Sequence, residues 1–205
     1  MTLPNKLTML RILLIPVMII IWYIPFFRET YVFVTGEGGF FYGLNLLMLL
    51  EFIIFAIASF TDFLDGKIAR SRNLVTSFGK FADPLADKML VFTAMTLIMV
   101  DAAKAGDWYW NLMPIWAYII MLIREFMVSG IRMVVASKGT VIPAAKMGKW
   151  KTATTMVALI VLFFAHTNII VAFIGMGLMY VACLLTIISG IEYFLNSKDV
   201  ILESI

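Results

Sequence analysis

The sequence predicts an all-α membrane protein: six transmembrane helices in one domain, residues 1–205, around a polar site that faces the cytoplasm. Three observations predict it. Mean hydropathy over the 205 residues is +0.98, too apolar for a chain whose surface meets only water. The chain offers several apolar runs near the length of about 20 residues that a bilayer-crossing helix needs. Its basic residues also gather at one set of run ends.

The runs lie near 8–27, 41–64, 85–104, 109–131, 153–167 and 169–195. The first is too long for the core of a signal peptide, and no small-residue cleavage site follows it, so it is read as a helix. The segment after it, "RETYVFVTGEGGFFYG", is rich in glycine, poor in charge and carries no recognisable chemistry. The fifth run is short unless it starts nearer Lys146. Of the 16 Lys and Arg residues, only Arg28 and Lys104 fall at the opposite ends, with Arg124 counted in the C-terminal half of its helix. The positive-inside rule then puts both termini and the 67–80 and 132–151 loops in the cytoplasm. The net charge of +3 is therefore concentrated on one face, towards anionic headgroups or anionic solutes. Cys183 is the only cysteine, which excludes an intrachain disulfide. His166 is the only histidine and is expected at the outer interface.

Against this background the stretch "TDFLDGKIARSRNLVTSFGKFADPLADK" stands out, with Asp62, Asp65, Asp83 and Asp87 between two apolar runs. Asp62 and Asp65 are three apart and share a helical face. Gly66 and Ala69 continue that face, and Arg70 closes it. Gly79, Asp83 and Asp87 are spaced by four and share a second face. Pro84 permits a helix that starts at Asp83, in whose first turn proline is at home, or one that starts near Thr76 and bends at Pro84. A loop of about ten residues would join two antiparallel neighbours, with their carboxylate pairs facing each other at the cytoplasmic mouth. Four clustered carboxylates need counter-charge. Their oxygens suit hard divalent cations, Mg²⁺ or Mn²⁺, and two such ions could clamp a phosphoryl displacement. Ionisable groups at membrane depth point to function.

The spacing Asp-x2-Asp-Gly-x2-Ala-Arg-x8-Gly-x3-Asp-x3-Asp resembles the signature of the CDP-alcohol phosphotransferases at every fixed position: Asp62, Asp65, Gly66, Ala69, Arg70, Gly79, Asp83 and Asp87. The resemblance implies a two-metal site, a CDP-linked donor and an alcohol acceptor. It implies that Asp62, Asp65 and Asp83 hold metal and that Asp87 is the general base and also a ligand. Gly66, Ala69 and Gly79 would make room for cytidine, and Arg70 would help hold the donor. By the same analogy the chain forms a homodimer.

Other segments narrow the acceptor. The opening "LPNKLTMLRILLIPV" resembles members of that family that use glycerol 3-phosphate, as do "REFMVSGIR" and "GKWKT" further on. Asn5 and Thr8, just before the first helix, either cap it or bond the donor diphosphate. Arg11 is placed at snorkelling depth, towards lipid headgroups. Glu125, Ser129 and Arg132 share one face of the fourth helix. Arg124 is deep for a charge, and Glu51, on roughly the face of Asp62, is its expected partner. Lys146, Lys149 and Lys151 either anchor the loop to the membrane face or, with Arg132, form a phosphate site; Arg132, Lys149 and Lys151 are the candidates for the acceptor. The expected reaction joins CDP-diacylglycerol and sn-glycerol 3-phosphate in the plasma membrane, among membrane lipids and without nucleic acid. Phosphatidylglycerol, serine or inositol phosphate are alternative acceptors. A cation transporter is the alternative outside the family, but its carboxylates belong near the bilayer midplane, not beside Lys67, Arg70 and Lys88.

Overall fold

The computed structural model describes residues 2–33, 43–71, 77–105, 112–137 and 146–202. They form α1 (Leu3–Tyr23), α2 (Pro25–Glu29), β1 (Tyr31–Phe33), β2 (Leu44–Asn45), α3 (Leu46–Ser71), α4 (Ser77–Ala105), α5 (Ile115–Ser137), α6 (Lys146–Leu162) and α7 (Ile169–Leu202), with a 3₁₀ turn at Ala165–Thr167.

Proline sets the first boundaries. Pro4 sits in the first turn of α1, where its missing N–H has no intrahelical partner to lose. Ile24 precedes Pro25 and is extended (φ −86°, ψ 110°), because the proline ring disfavours helical backbone before it. The predicted first run therefore ends at Tyr23, and Pro25 opens α2. Strands β1 and β2 pair antiparallel. Gly43, just before β2, has φ +58°, and a Cβ there would come 2.9 Å from the Tyr31 ring.

Helix α1 lies against α3 and α4, while α7 lies against α5 and α6; α4 also touches α5 and α6. The core between them is apolar and rich in small residues. Ala58, Ala94, Ala117, Ala158, Ala172 and Ala182 are fully buried and let helices approach closely. Met18, Phe55, Leu90, Met95 and Leu159 fill the space around them. The outward faces carry exposed Leu13, Ile20, Ile57, Phe60, Ile123, Phe126, Ile174 and Leu184. An apolar exterior of this kind suits hydrocarbon rather than water.

Among the described residues, four helical segments are long and apolar enough to cross a membrane: Leu3–Tyr23, Leu46–Gly66, Met147–Thr167 and Ile169–Lys198. Helices α4 and α5 are 29 and 23 residues long, but they carry more charge. Asp87, Lys88, Asp101 and Lys104 break up α4, and Arg124, Glu125 and Arg132 break up α5. Helix α4 starts at Ser77 and runs through Pro84 rather than starting at Asp83. Helix α3 extends to Ser71, so the interval before α4 is about half the ten residues expected. Helix α6 starts at Lys146.

Candidate active site

One stripe of α1 organises the polar end of the bundle. Pro4, Thr8, Arg11, Ile15, Met18 and Trp22 recur at helical spacing and are all buried. Ile15, Met18 and Trp22 join the apolar core; Thr8 and Arg11 continue the same face into the aspartates. Arg11 is 0% exposed. Its Nη2 donates to Asp65 Oδ2 at 2.6 Å, and its Nε donates to the Ala58 carbonyl at 3.3 Å. Its Nη1 lies 2.8 Å from Asp62 Oδ1, an ion pair outside hydrogen-bond alignment. The Thr8 hydroxyl lies 2.5 Å from Asp83 Oδ1 and 3.2 Å from the Pro4 carbonyl. It has one proton, and the shorter contact to a carboxylate is the stronger claim on it. Asp65 is buried at 3% exposure, whereas the Asp62 side chain is 42% exposed. The pair thus runs from the core to the surface.

A second polar cluster lies beside the first, built by α4, α5, α6 and α7. Glu125 accepts from Arg124 Nη1 at 2.8 Å and from Lys151. Lys88 donates to the Ser129 hydroxyl, which donates in turn to the Glu125 carbonyl at 2.7 Å. Arg124 Nη2 donates to Ser189 at 2.9 Å. It passes close over Gly190 of α7, where a Cβ would lie 3.0 Å from Arg124 Cγ. The Arg132 guanidinium lies 5.4 Å from the centre of the Tyr193 ring. Together these groups wall a cavity of about 600 Å³. Lys88, Arg124, Arg132, Lys149 and Lys151 line it together with Asp87 and Glu125, so its walls are predominantly cationic. A smaller cavity of about 70 Å³ shares Asp87, Glu125 and Lys151 with it and is also lined by Thr155 and Thr186.

The structure therefore brings Arg132, Lys149, Lys151 and Asp87 around one cavity, with Asp62, Asp65 and Asp83 grouped on Arg11 and Thr8. Gly66 is partly buried and Gly79 buried. Ala69 and Arg70 fall within α3, but their side chains lie outside the described residues. Three expectations are corrected. Asn5 and Thr8 do not precede the first helix: α1 begins at Leu3 with Thr2 at its N-cap, so Thr8 is no cap. Arg11 does not reach for headgroups; it turns inward to two carboxylates. Arg124 does not pair with Glu51, because α5 packs against α7 and not beside α3. Glu51 is buried at 2% exposure, and its Oε1 has no hydrogen-bond partner among the described residues. Sequence reasoning gave Arg11 and Glu125 no role in the site. Arg11 lies on the same i, i+4, i+7 stripe as the core residues of α1, a spacing that marks its face but not the carboxylates it meets.

Among the described residues no three acidic or histidine groups already converge on one point at coordinating distance. The donor chemistry nevertheless fits a hard divalent cation. Every candidate is a carboxylate. The described contacts of Asp62, Asp65 and Asp83 each engage one oxygen and leave the second for another ligand.

A family model described as CDP-alcohol phosphatidyltransferase matches residues 1–188. The chain is 38% identical over 204 residues to the CDP-diacylglycerol–glycerol-3-phosphate 3-phosphatidyltransferase of Bacillus subtilis, covering 98% of each chain. It is 36% identical over 199 residues to the enzyme of that name from Rickettsia typhi, covering 96% of this chain and 97% of that one. With the Haemophilus influenzae enzyme of that name it shares 36% identity over 204 residues, covering 98% and 96%. The aspartate spacing, the family match and these near full-length similarities agree, and the chain belongs to the CDP-alcohol phosphatidyltransferase family.

Proposed function

We propose that this chain transfers a phosphatidyl group from CDP-diacylglycerol to sn-glycerol 3-phosphate, releasing CMP and phosphatidylglycerol phosphate. The observation that carries the reading is the basic cavity with Asp87 in its wall. Glycerol 3-phosphate brings a doubly charged phosphate that the aspartates alone would repel. Arg132 can meet it with a paired fork, and Lys149 and Lys151 with point charges. Its hydroxyl then lies towards Asp87, which accepts the proton as the oxygen attacks the phosphorus that bears diacylglycerol. The bond to CMP breaks on the opposite side. Asp62, Asp65, Asp83 and Asp87 would hold Mg²⁺ or Mn²⁺, two ions on the family pattern, whose charge would offset that developing on the donor diphosphate. Gly66, Ala69 and Gly79 leave space for cytidine, and Asn5 and Arg70 border the donor.

The whole chain serves as one membrane-embedded domain. Helices α4 and α5 complete six spans, since each is long enough at 1.5 Å per residue to cross about 30 Å of hydrocarbon. The excess of Lys and Arg at the aspartate end supports a cytoplasmic site, with both termini on that side of the cell membrane. The acceptor then arrives from water while the diacyl tails remain in lipid.

The test is an acceptor panel on purified protein with CDP-diacylglycerol and Mg²⁺, reading CMP and lipid product. Glycerol 3-phosphate should be used far faster than phosphatidylglycerol, serine or inositol phosphate. EDTA should stop CMP release, and Mg²⁺ or Mn²⁺ should restore it. Preference for a phosphate-free acceptor would remove the role given to the basic cavity.

A further inference from the structure

We infer that Thr8 and Arg11 are positioning residues for the acidic centre: one stripe of α1 takes one oxygen of Asp62, Asp65 and Asp83 and so orients the other oxygen of each towards a divalent cation. The inference rests on the proposed metal role of these aspartates and extends it to two residues outside the motif.

The geometry is specific. Arg11 contacts Asp62 Oδ1 and Asp65 Oδ2, one oxygen from each side chain. Thr8 contacts Asp83 Oδ1. Thr8 and Arg11 are three residues apart on one face, so a single rigid helix serves carboxylates from both α3 and α4. Neither residue is open to substrate, for both are 0% exposed. A buried hydroxyl whose hydrogen bond goes to a carboxylate is badly placed to bind a donor diphosphate as well. The Ala58 carbonyl fixes the guanidinium further through Nε, which leaves little freedom to the two aspartates that follow Ala58 on α3. Groups that hydrogen-bond to metal-ligating carboxylates fix their orientation, and losing one commonly lowers metal affinity about 10–100-fold.

The experiment measures Mn²⁺ binding to the purified full-length protein by electron paramagnetic resonance, without substrate, alongside steady-state kinetics. Thr8→Val keeps the shape and removes the hydroxyl; Thr8→Ser restores it. Thr8→Val should weaken Mn²⁺ binding by roughly tenfold or more, and Thr8→Ser should stay near wild type. Raising Mn²⁺ should recover much of the kcat of Thr8→Val, with little change in the KM for CDP-diacylglycerol. Arg11→Lys keeps the charge but can hold only one carboxylate well, so it should weaken Mn²⁺ binding as well. If Thr8→Val and Arg11→Lys bind Mn²⁺ as wild type does while Asp83→Asn does not, the positioning role is wrong and the metal site stands. A raised donor KM at unchanged Mn²⁺ affinity would return Thr8 to the donor site and overturn the inference. If Asp62→Asn, Asp65→Asn and Asp83→Asn all leave Mn²⁺ binding intact, the metal role itself fails, and the inference with it.

Discussion

The two ends of the bundle both join arginine to aspartate, and they do so differently. At one end Arg11 is buried and meets two carboxylates, with Asp83 and Asp87 close by. At the other, Arg28 pairs with Asp101 at 2.9 Å, with 36% and 22% of the side chains exposed. Trp22 Nε1 donates to the same Asp101 at 3.0 Å, and Lys104 lies 4.0 Å from the centre of the Trp22 ring. There one guanidinium meets one carboxylate in a fastening between α1, α2 and α4, although the buried Glu51 nearby leaves its Oε1 without a hydrogen-bond partner among the described residues. At the aspartate end carboxylates outnumber the guanidinium, and the neighbouring cavity is cationic. Unmatched charge of both signs, set side by side, is costly to maintain and useful for handling anions with metal. The contrast teaches that the balance of a buried ion pair, more than its presence, separates a fastening from a working site.

Mutations can break that contrast or sharpen it. The largest effect is expected from Asp87→Asn, which keeps size and polarity and removes the basic oxygen. CMP release should fall about 10²–10⁴-fold, the usual worth of a positioned general base, while the protein still inserts and folds. Turnover within a few-fold of wild type would take Asp87 out of that role. Next is Arg132→Ala, which should raise the acceptor KM about 10–100-fold, in keeping with loss of charge-assisted bonds to phosphate. The donor KM should move much less, and Arg132→Lys should recover only part of the loss. Kinetics with each substrate varied in turn will show which KM responds. A smaller effect is expected of Gly66→Leu, whose side chain would enter the space assigned to cytidine and weaken CDP-diacylglycerol binding in a direct titration. Unchanged donor affinity would mean that Gly66 serves helix packing. The smallest effect belongs to the opposite end. Asp101→Asn removes the charge from a partly exposed pair and should cost about 0.2–1 kcal/mol of stability, read as a slight fall in Tm, with kcat and both KM values unchanged. A large loss of activity there would erase the distinction between the two ends.

What could be read from the sequence was local. The aspartates stood out because spacings of three and four put them on helical faces, and because carboxylates are expensive near hydrocarbon. The helices themselves announced their apolar length, though α4 and α5 were blurred by the charges they carry. Pairing between distant helices was not legible. Placing Glu51 against Arg124 required knowing whether α3 and α5 are neighbours; Arg124 instead crosses Gly190 to Ser189. Arg11 was misjudged for a related reason. A single arginine near a helix end can turn outward or inward, and the choice depends on carboxylates far along the chain.

That distance matters during synthesis. Arg11 and Asp65 are 54 residues apart in the chain, so α1 is complete well before its counter-charges on α3 exist. An arginine at the centre of a membrane helix carries a penalty of about 2.5–3.5 kcal/mol on insertion scales, and one nearer the end than that, as Arg11 is in α1, carries less. The first helix must bear some share of that penalty alone and can settle only when α3 arrives beside it. Helix α1 is thus locked only after a later helix has been made, and lengthening the chain between α1 and α3 would prolong that wait without touching the site itself.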